Sequence, residues 1–473
     1  MAVSLVITNG TVVTSMGAVK TDVAIQGDKI LGIGDKSVFP KAEKVYDAKG
    51  KIVIPGGIDP HTHFEQIYMG TIVPTIVKEK WDTASIASAI GGTTTVIDFA
   101  QQEKGKTLMD VVKAQFVRAA ELSAIDYSTS PIITDLSDMD KLLGSFKEVI
   151  DYGLPTFKGA TIYTSTGWYE DDWQLFRVMR KIQELDGMMS IHAENCLIGE
   201  GWQAELVSQG KTDPVYHGVA KPNFEEDMDI IKCMMLAEAL GTRTYIVHVS
   251  TEKGPGIIDS YRKKGLPVYC ETCTHYLWLT EDTFAPKFPT GIMYMCSPPL
   301  RKQADIEALW NGIKSGIVQT VGSDHVCFTK QQKEEGSGSF IDIPNGFPGV
   351  EARVPVVFQE GVLKRNVSLE KFAEVVATNP AKLFGMYPKK GVIAPGSDAD
   401  IVVIDPEKKH SLNAADLHMG TDLSVFEGMQ VTGWPVLTVL RGQIIVENER
   451  FVGKKGEGQF VKGKLDEKIM ATV

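Results

Sequence analysis

An α/β fold, a (β/α)8 TIM-like barrel carrying a smaller β-sandwich domain built from both chain ends, is the architecture that this sequence predicts. Three observations lead there. The middle of the chain alternates eight apolar strand candidates with helix-period stretches, the pattern of a parallel sheet wound with crossover helices. The first 56 residues and a segment after residue 390 are rich in short β-type runs separated by Asn-Gly, Gly-Asp and Arg-Gly turn signals. The length, 473 residues, exceeds one ordinary domain but suits a barrel plus an appendage.

The elements follow in order. Val3–Thr8, Thr11–Val13, Ala18–Gln26 and Lys29–Gly34 read as strands. Eight barrel strands are expected at Ile52–His63, Thr94–Ala100, Tyr127–Thr134, Pro155–Ile162, Met188–His192, Arg243–Ser250, Leu266–His275 and Ile317–His325. Helices are expected at Glu79–Ile90, Thr107–Ser123, Leu136–Tyr152, Asp171–Leu185, Glu225–Leu240, Pro255–Lys264 and Ala304–Lys314. The β pattern returns at Asp400–Asp405, Val436–Leu440 and Gln443–Glu447. The expected division is a sandwich part over 1–56, a catalytic barrel over 57–390, a second sandwich part over 391–450, and a Gly- and Lys-rich tail over 451–473 suited to a contact with a neighbouring subunit.

Composition narrows the function. Hydrophobic residues at 43% and charged residues at 23% suit a packed globular chain and exclude wholesale disorder. Lys and Arg number 49 against 60 Asp and Glu, a net charge of −11, so neither counterion release on nucleic acid nor a polybasic membrane contact is expected. No run of eighteen apolar residues predicts a membrane span, and the first residues read as a strand, not as a signal peptide. Six cysteines, including Cys270-Glu-Thr-Cys273 with no second pair at zinc spacing, are read as reduced thiols of a cytoplasmic protein.

Barrel active sites are built at the C-terminal ends of the strands, so the polar residues there are the test. The first strand ends in His61-Thr62-His63, where residues two apart on extended backbone project to one face. The fourth holds Lys158 in an apolar run, the fifth ends at His192, the sixth at His248 and the eighth at Asp324. Each alone reads as a satisfied structural residue. Together, four of only nine histidines plus a lysine and an aspartate fall on the face where they can meet. Imidazole and carboxylate suit zinc, with manganese, cobalt or iron as alternatives. Six ligands exceed what one catalytic ion with an open position takes, and suit two divalent ions about 3.5–4 Å apart. A cationic lysine would be repelled there. Reaction of its neutral amine with CO2 gives a carbamate (N6-carboxylysine) whose two oxygens can bridge the ions.

The segments Gly56-Gly-Ile-Asp-Pro-His-Thr-His63, Phe157-Lys158, His192-Ala-Glu-Asn195, Val247-His-Val-Ser250, Cys296-Ser-Pro-Pro-Leu-Arg301, Gly322-Ser-Asp-His325 and Ile343-Pro-Asn-Gly-Phe-Pro-Gly-Val350 resemble the hydantoinase/dihydropyrimidinase branch of the amidohydrolase superfamily. Ile54-Pro-Gly-Gly57 and Gly391–Ile401 resemble the joints between that family's barrel and sandwich, so the likeness spans roughly residues 3–450. The resemblance implies that His61, His63 and Asp324 hold the more buried ion, His192 and His248 the more exposed one, with carboxylated Lys158 bridging. It implies that Tyr163 donates to the developing oxyanion, that main chain at Ser297 and Asn345 grips the imide or ureide edge of the ring, and that the chain forms a homotetramer. The implied reaction is hydrolysis of a cyclic amide by a metal-bridging hydroxide, with Asp324 as base and then acid. His275, His325, Glu194 and Asn195 are read as structural or orienting.

Allantoinase and dihydroorotase activities are the alternatives within the enzyme class. Dihydroorotate would need an arginine, for which Arg301 is available. A ligand-poor, non-catalytic scaffold is the alternative outside it, and retention of all six ligands argues against that. The segment Phe64–Lys80 is longer than the usual family version and lacks its Asp-Asp-aromatic run, while Trp168 and Tyr169 make the segment after Tyr163 unusually aromatic. Both departures fall where the ring's exocyclic substituent would be walled.

Overall fold

The computed structural model describes residues 3–69, 74–76, 79–164, 167–336 and 338–473. Eight strands, Gly57–Thr62, Thr93–Gln101, Asp126–Ile132, Thr156–Ala160, Met188–His192, Arg243–Ile246, Val268–Cys273 and Thr320–Gly322, pair in that order, all parallel. The eighth returns to the first: Asp324 N–H donates to the His61 carbonyl at 3.0 Å, and His63 N–H to the His325 carbonyl at 3.0 Å. The sheet is therefore a closed barrel, and its closing bonds run through three candidate ligands.

The crossover helices form where the 3.6-residue period and caps coincide. Thr107 and Asp171 each close a capping box at the start of Leu108–Leu122 and Asp172–Glu184. Gly153, Gly241 and Gly316 end their helices in left-handed backbone, where a side chain would be strained.

The sandwich is one continuous nine-stranded mixed sheet folded over its own core of Leu5, Ile7, Val23, Ile25, Ile401, Val403, Leu437 and Val439. Both chain ends meet at its centre, where Ile52–Pro55 lies between Val3–Thr14 and Ile401–Ser411. The expected strand Ile52–His63 is thus two elements. Its first half joins the sandwich, and the barrel strand begins at Gly57, after Gly56 passes so close to Thr94 that a Cβ would sit 2.1 Å from its hydroxyl oxygen. Conversely, Val3–Thr8 and Thr11–Val13 are one strand: Asn9-Gly10 is a bulge, with Asn9 at φ 62°, not a turn. The strand Ala42–Asp47 and the helical segments Cys196–Ser208, Val215–Ala220, Arg353–Val357, Leu369–Ala373 and Asn379–Leu383 were not expected. Short helices and helices without a clean apolar stripe leave little periodic signal.

The tail over 451–473 packs on this chain's own barrel. Tyr127 exchanges backbone hydrogen bonds with Gln459 and Val461, and Phe460 packs 4.5 Å from the Phe116 ring. Val461 and Met470 are buried with Ile58, Met188 and Tyr245, plugging the end of the barrel opposite the ligands. Fully burying each such side chain contributes about 1.5–3 kcal/mol.

Candidate metal centre

The C-terminal ends of five strands bring all six predicted ligands to one cavity of about 30 Å3, lined by His61, His63, Lys158, His192, His248 and Asp324 together with Tyr163, Trp168, Ser297 and Asn345. Within it, Asp324 Oδ1 lies 3.1 Å from His61 Nε2 and 3.2 Å from His63 Nε2. His192 Nδ1 and His248 Nε2 face one another at 3.0 Å. Two donors on one tetrahedral zinc, with bonds of about 2.0–2.1 Å, stand roughly 3.3 Å apart, so both groupings have the span of a shared ion.

Each of three imidazoles spends its other nitrogen on an anchor. His61 Nδ1 meets Glu271 Oε1 at 2.7 Å, His63 Nδ1 meets Gln66 Oε1 at 2.8 Å, and His192 Nε2 meets Glu194 Oε2 at 2.6 Å. Such partners fix ring orientation and tautomer and leave the inward lone pair for a cation. Glu271 also accepts from the His248 backbone N–H and the Tyr245 hydroxyl, so one carboxylate braces ligands from two strands. Glu271→Gln is expected to weaken divalent-metal affinity about 10–100-fold, measured by competition with a chromogenic chelator. Unchanged affinity would remove Glu271 from this role.

The electrostatics agree. Burial holds His63, His192 and His248 below the ordinary imidazole range, so they stand neutral with lone pairs available. Burial also opposes the charged form of His61, but Asp324 and Glu271 outweigh it and bring that ring up to about 9, a proton that a dication would displace. Burial by itself would raise Asp324, yet His61 and His63 hold its carboxyl well below the usual range. Burial brings Lys158 down to about 8 against the pull of Asp324 and Glu271. Its amine is 1% exposed and has no hydrogen-bond partner among the described residues, the one ligand position that the protein alone leaves unsatisfied.

Three site residues adopt left-handed backbone although none is glycine: Tyr163 at φ 65°, His248 at φ 40° and Asp324 at φ 49°. Each costs about 1–3 kcal/mol and persists only where the surroundings impose it. Strain at three cavity-lining residues marks a surface shaped for binding.

A second, larger cavity of about 680 Å3 shares no lining residue with this one. Phe99 and Gln66 line it and also contact the ligand histidines, so it adjoins the centre from outside.

The fold and the centre can be set beside known proteins. The amidohydrolase family model matches residues 52–445. The chain is 40% identical over 457 residues to a D-hydantoinase of Geobacillus stearothermophilus, covering 96% of both chains, and 38% identical over 460 residues to a D-hydantoinase of Ralstonia pickettii, covering 97% of this chain and 98% of that one. Among solved structures, a dihydropyrimidinase from Brevibacillus agri superposes with a TM-score of 0.93 at 37% identity, covering 98% of this chain and 99% of that one. The chain belongs to the amidohydrolase family.

Its hydantoinase branch is the one that the resemblance named. In this amidohydrolase, His275 and His325 do not line the cavity: His275 packs against Tyr276 and Phe347, while His325 is engaged by Glu79 at 2.5 Å and accepts from Gly349 N–H. Ser297 lines the cavity, and its Oγ donates to Glu194 at 2.7 Å and accepts from Lys221 Nζ at 2.5 Å. Asn345 lines the cavity with its Oδ1 buried and without a partner among the described residues. Trp168 lines it as well, whereas Tyr169 does not. Sequence reading missed Glu271, Gln66 and Lys221. The signal that could have found Glu271 is its place as a lone acid inside an otherwise uncharged buried strand.

Proposed function

We propose that this amidohydrolase opens a cyclic amide, a hydantoin, a dihydropyrimidine or a related cyclic ureide or imide, at a centre of two divalent ions, with zinc the first choice for a nitrogen- and oxygen-rich set and manganese, cobalt or iron as substitutes. The observation that carries the reading is the meeting of six side chains, spread over residues 61–324, one of them an amine that no described residue satisfies. His61, His63 and Asp324 would hold one ion and His192 and His248 the other. Lys158, whose depressed pKa gives its amine a neutral fraction near pH 7 that an ordinary lysine lacks, would add CO2 at Nζ with loss of one proton, and the carbamate would supply oxygens for the ions. When bound, such ions bring the pKa of water to about 7 and polarise the amide carbonyl.

The chain's own groups do the rest. Asp324 takes the proton of the attacking water and returns it to the departing ring nitrogen. The Tyr163 phenol, whose ring stands 6.2 Å from that of His192, donates to the carbonyl oxygen as it becomes an oxyanion. Main chain at Ser297 and Asn345 orients the ring's ureide or imide edge. Tyr163→Phe is expected to lower kcat about 10²–10³-fold with metal content unchanged. A fall in metal content instead would make Tyr163 a structural residue.

Arg301, the arginine that a dihydroorotate carboxylate would require, is buried, paired with Glu226 at 2.9 Å, and absent from the cavity wall. That favours an uncharged ring. The unusual segment Phe64–Lys80 falls partly outside the described residues, but Trp168 in the cavity wall supports a pocket shaped for a ring other than dihydrouracil. Steady-state rates for dihydrouracil, a 5-substituted hydantoin, allantoin and succinimide test both levels. Opening of none by metal-replete enzyme would sink the activity, and a wide preference for dihydrouracil would sink the altered pocket. No helix among the described residues is long and apolar enough to cross a membrane, and all six cysteines are buried free thiols, which supports a reducing cytoplasm. We read the assembly as a homotetramer.

A further inference from the structure

Lys333 is fully buried, yet its amine meets no carboxylate among the described residues. It donates instead to two backbone carbonyls, that of Met295 at 2.9 Å and that of Pro344 at 2.7 Å. The Phe328 ring lies 5.5 Å from the same nitrogen. An ammonium held away from water without a counter-charge is a costly occupant, and an apolar side chain of similar size is ordinarily tolerated better. Burial accordingly brings this amine down to about 7. Its neutral form still has two N–H donors, one for each carbonyl. The two backbone contacts are therefore what the position is built to make.

Those carbonyls belong to separate segments of the cavity wall. Met295 stands two residues before Ser297, and Pro344 immediately before Asn345. Ser297, Asn345 and Gly346 all line the cavity of the candidate metal centre. The first segment is braced at three successive residues. Its Met295 carbonyl takes the Lys333 amine, its Cys296 carbonyl accepts from His217 at 2.7 Å, and its Ser297 hydroxyl is held by Glu194 and Lys221. The second segment is joined to the first by the Lys333 amine and by one backbone bond, from Gly346 N–H to the Met295 carbonyl at 2.9 Å. Lys333 itself sits on the short helix Lys330–Glu334, whose start is fixed by a capping box between Thr329 and Gln332.

We propose that Lys333 is a positioning residue for the substrate ring: its amine pins the Pro344 carbonyl beside the Met295 carbonyl and so sets the gap between the Ser297 and Asn345 main chains. This rests on the proposed grip of the ring's ureide or imide edge by those two segments. A rigid planar ring demands a fixed gap, and misplacement by about 1 Å costs about 10²-fold. Lys333 is absent from the cavity lining and bonds to none of the six candidate metal ligands. Its influence reaches the ring through backbone, not through the ions.

Steady-state kinetics on the ring that wild type opens fastest, with metal content measured in the same preparations, tests this. Lys333→Met is expected to raise KM about 10²-fold. Its kcat should stay within about threefold of wild type, as for a lost contact that binds ground and transition states alike, and its metal content should not change. Lys333→Arg, which keeps N–H donors for both carbonyls, should recover most of the loss. Lys333→Gln, polar but shorter, should show the same rise in KM in smaller measure, and it gives the reading if the methionine variant does not fold. Wild-type KM in the methionine and glutamine variants would overturn the positioning role alone. So would a fall in kcat and metal content in step with KM, the mark of a merely structural lysine. A wild type that opens no cyclic amide would overturn the proposed activity and this role with it.

Discussion

Lys158→Ala loses divalent metal and turnover together, and a short carboxylic acid such as acetate or propionate added to the variant restores part of both. The expectation rests on the isolation of the lysine. Its amine lies in the barrel with no acceptor among the described residues, in a cavity whose lining includes four imidazoles and a carboxylate. A buried ammonium without a partner is penalised by several kcal/mol, so the position is poor for a structural cation. It becomes favourable once the amine carries two anionic oxygens facing cations. Removing it should lower kcat at least about 10³-fold, more than the loss of one oxyanion donor, because a bridging ligand goes with it. The metal-free fold should survive, since alanine deletes a desolvated charge along with its contacts. Metal analysis and ureide release in the same preparations check this. A Lys158→Ala enzyme that keeps its metal and activity would end the carbamate reading.

Asp324→Asn keeps the fold and abolishes turnover. The side chains are nearly isosteric, and the backbone bond from Asp324 N–H to the His61 carbonyl that helps close the barrel is untouched. The negative charge is lost. Proton transfer by a placed general base contributes about 10²–10⁴-fold, and weaker metal retention adds to that. His61, held up to about 9 by Asp324 and Glu271 against the effect of burial, should fall when Asp324 is neutral. An NMR titration of the metal-free variant reads that direction directly. Turnover within tenfold of wild type would assign the proton transfer to another group.

The meeting of these six side chains in one cavity was legible because a polar side chain at the end of an apolar strand costs stability unless it is used, and six such positions coincided. The sandwich was legible because strand-rich runs at both ends need a shared sheet to bury one face. What escaped had physical reasons. Glu271 sits between cysteines on a strand buried on both sides, where no alternation shows which face it serves. Gln66 and Lys221 act from loops and short helices without a period. The join at Gly56 was invisible because both strands are apolar and a close approach, not a turn residue, separates them. Helix Asn223–Leu240 misleads a reader who assigns acids to solvent, because here they anchor the helix and its apolar side faces out.

The most direct test of the central claim is the divalent metal content of fully active, gently purified protein, measured by inductively coupled plasma mass spectrometry. Two equivalents per chain are predicted. Full cyclic-amide turnover by protein holding less than one would contradict the account.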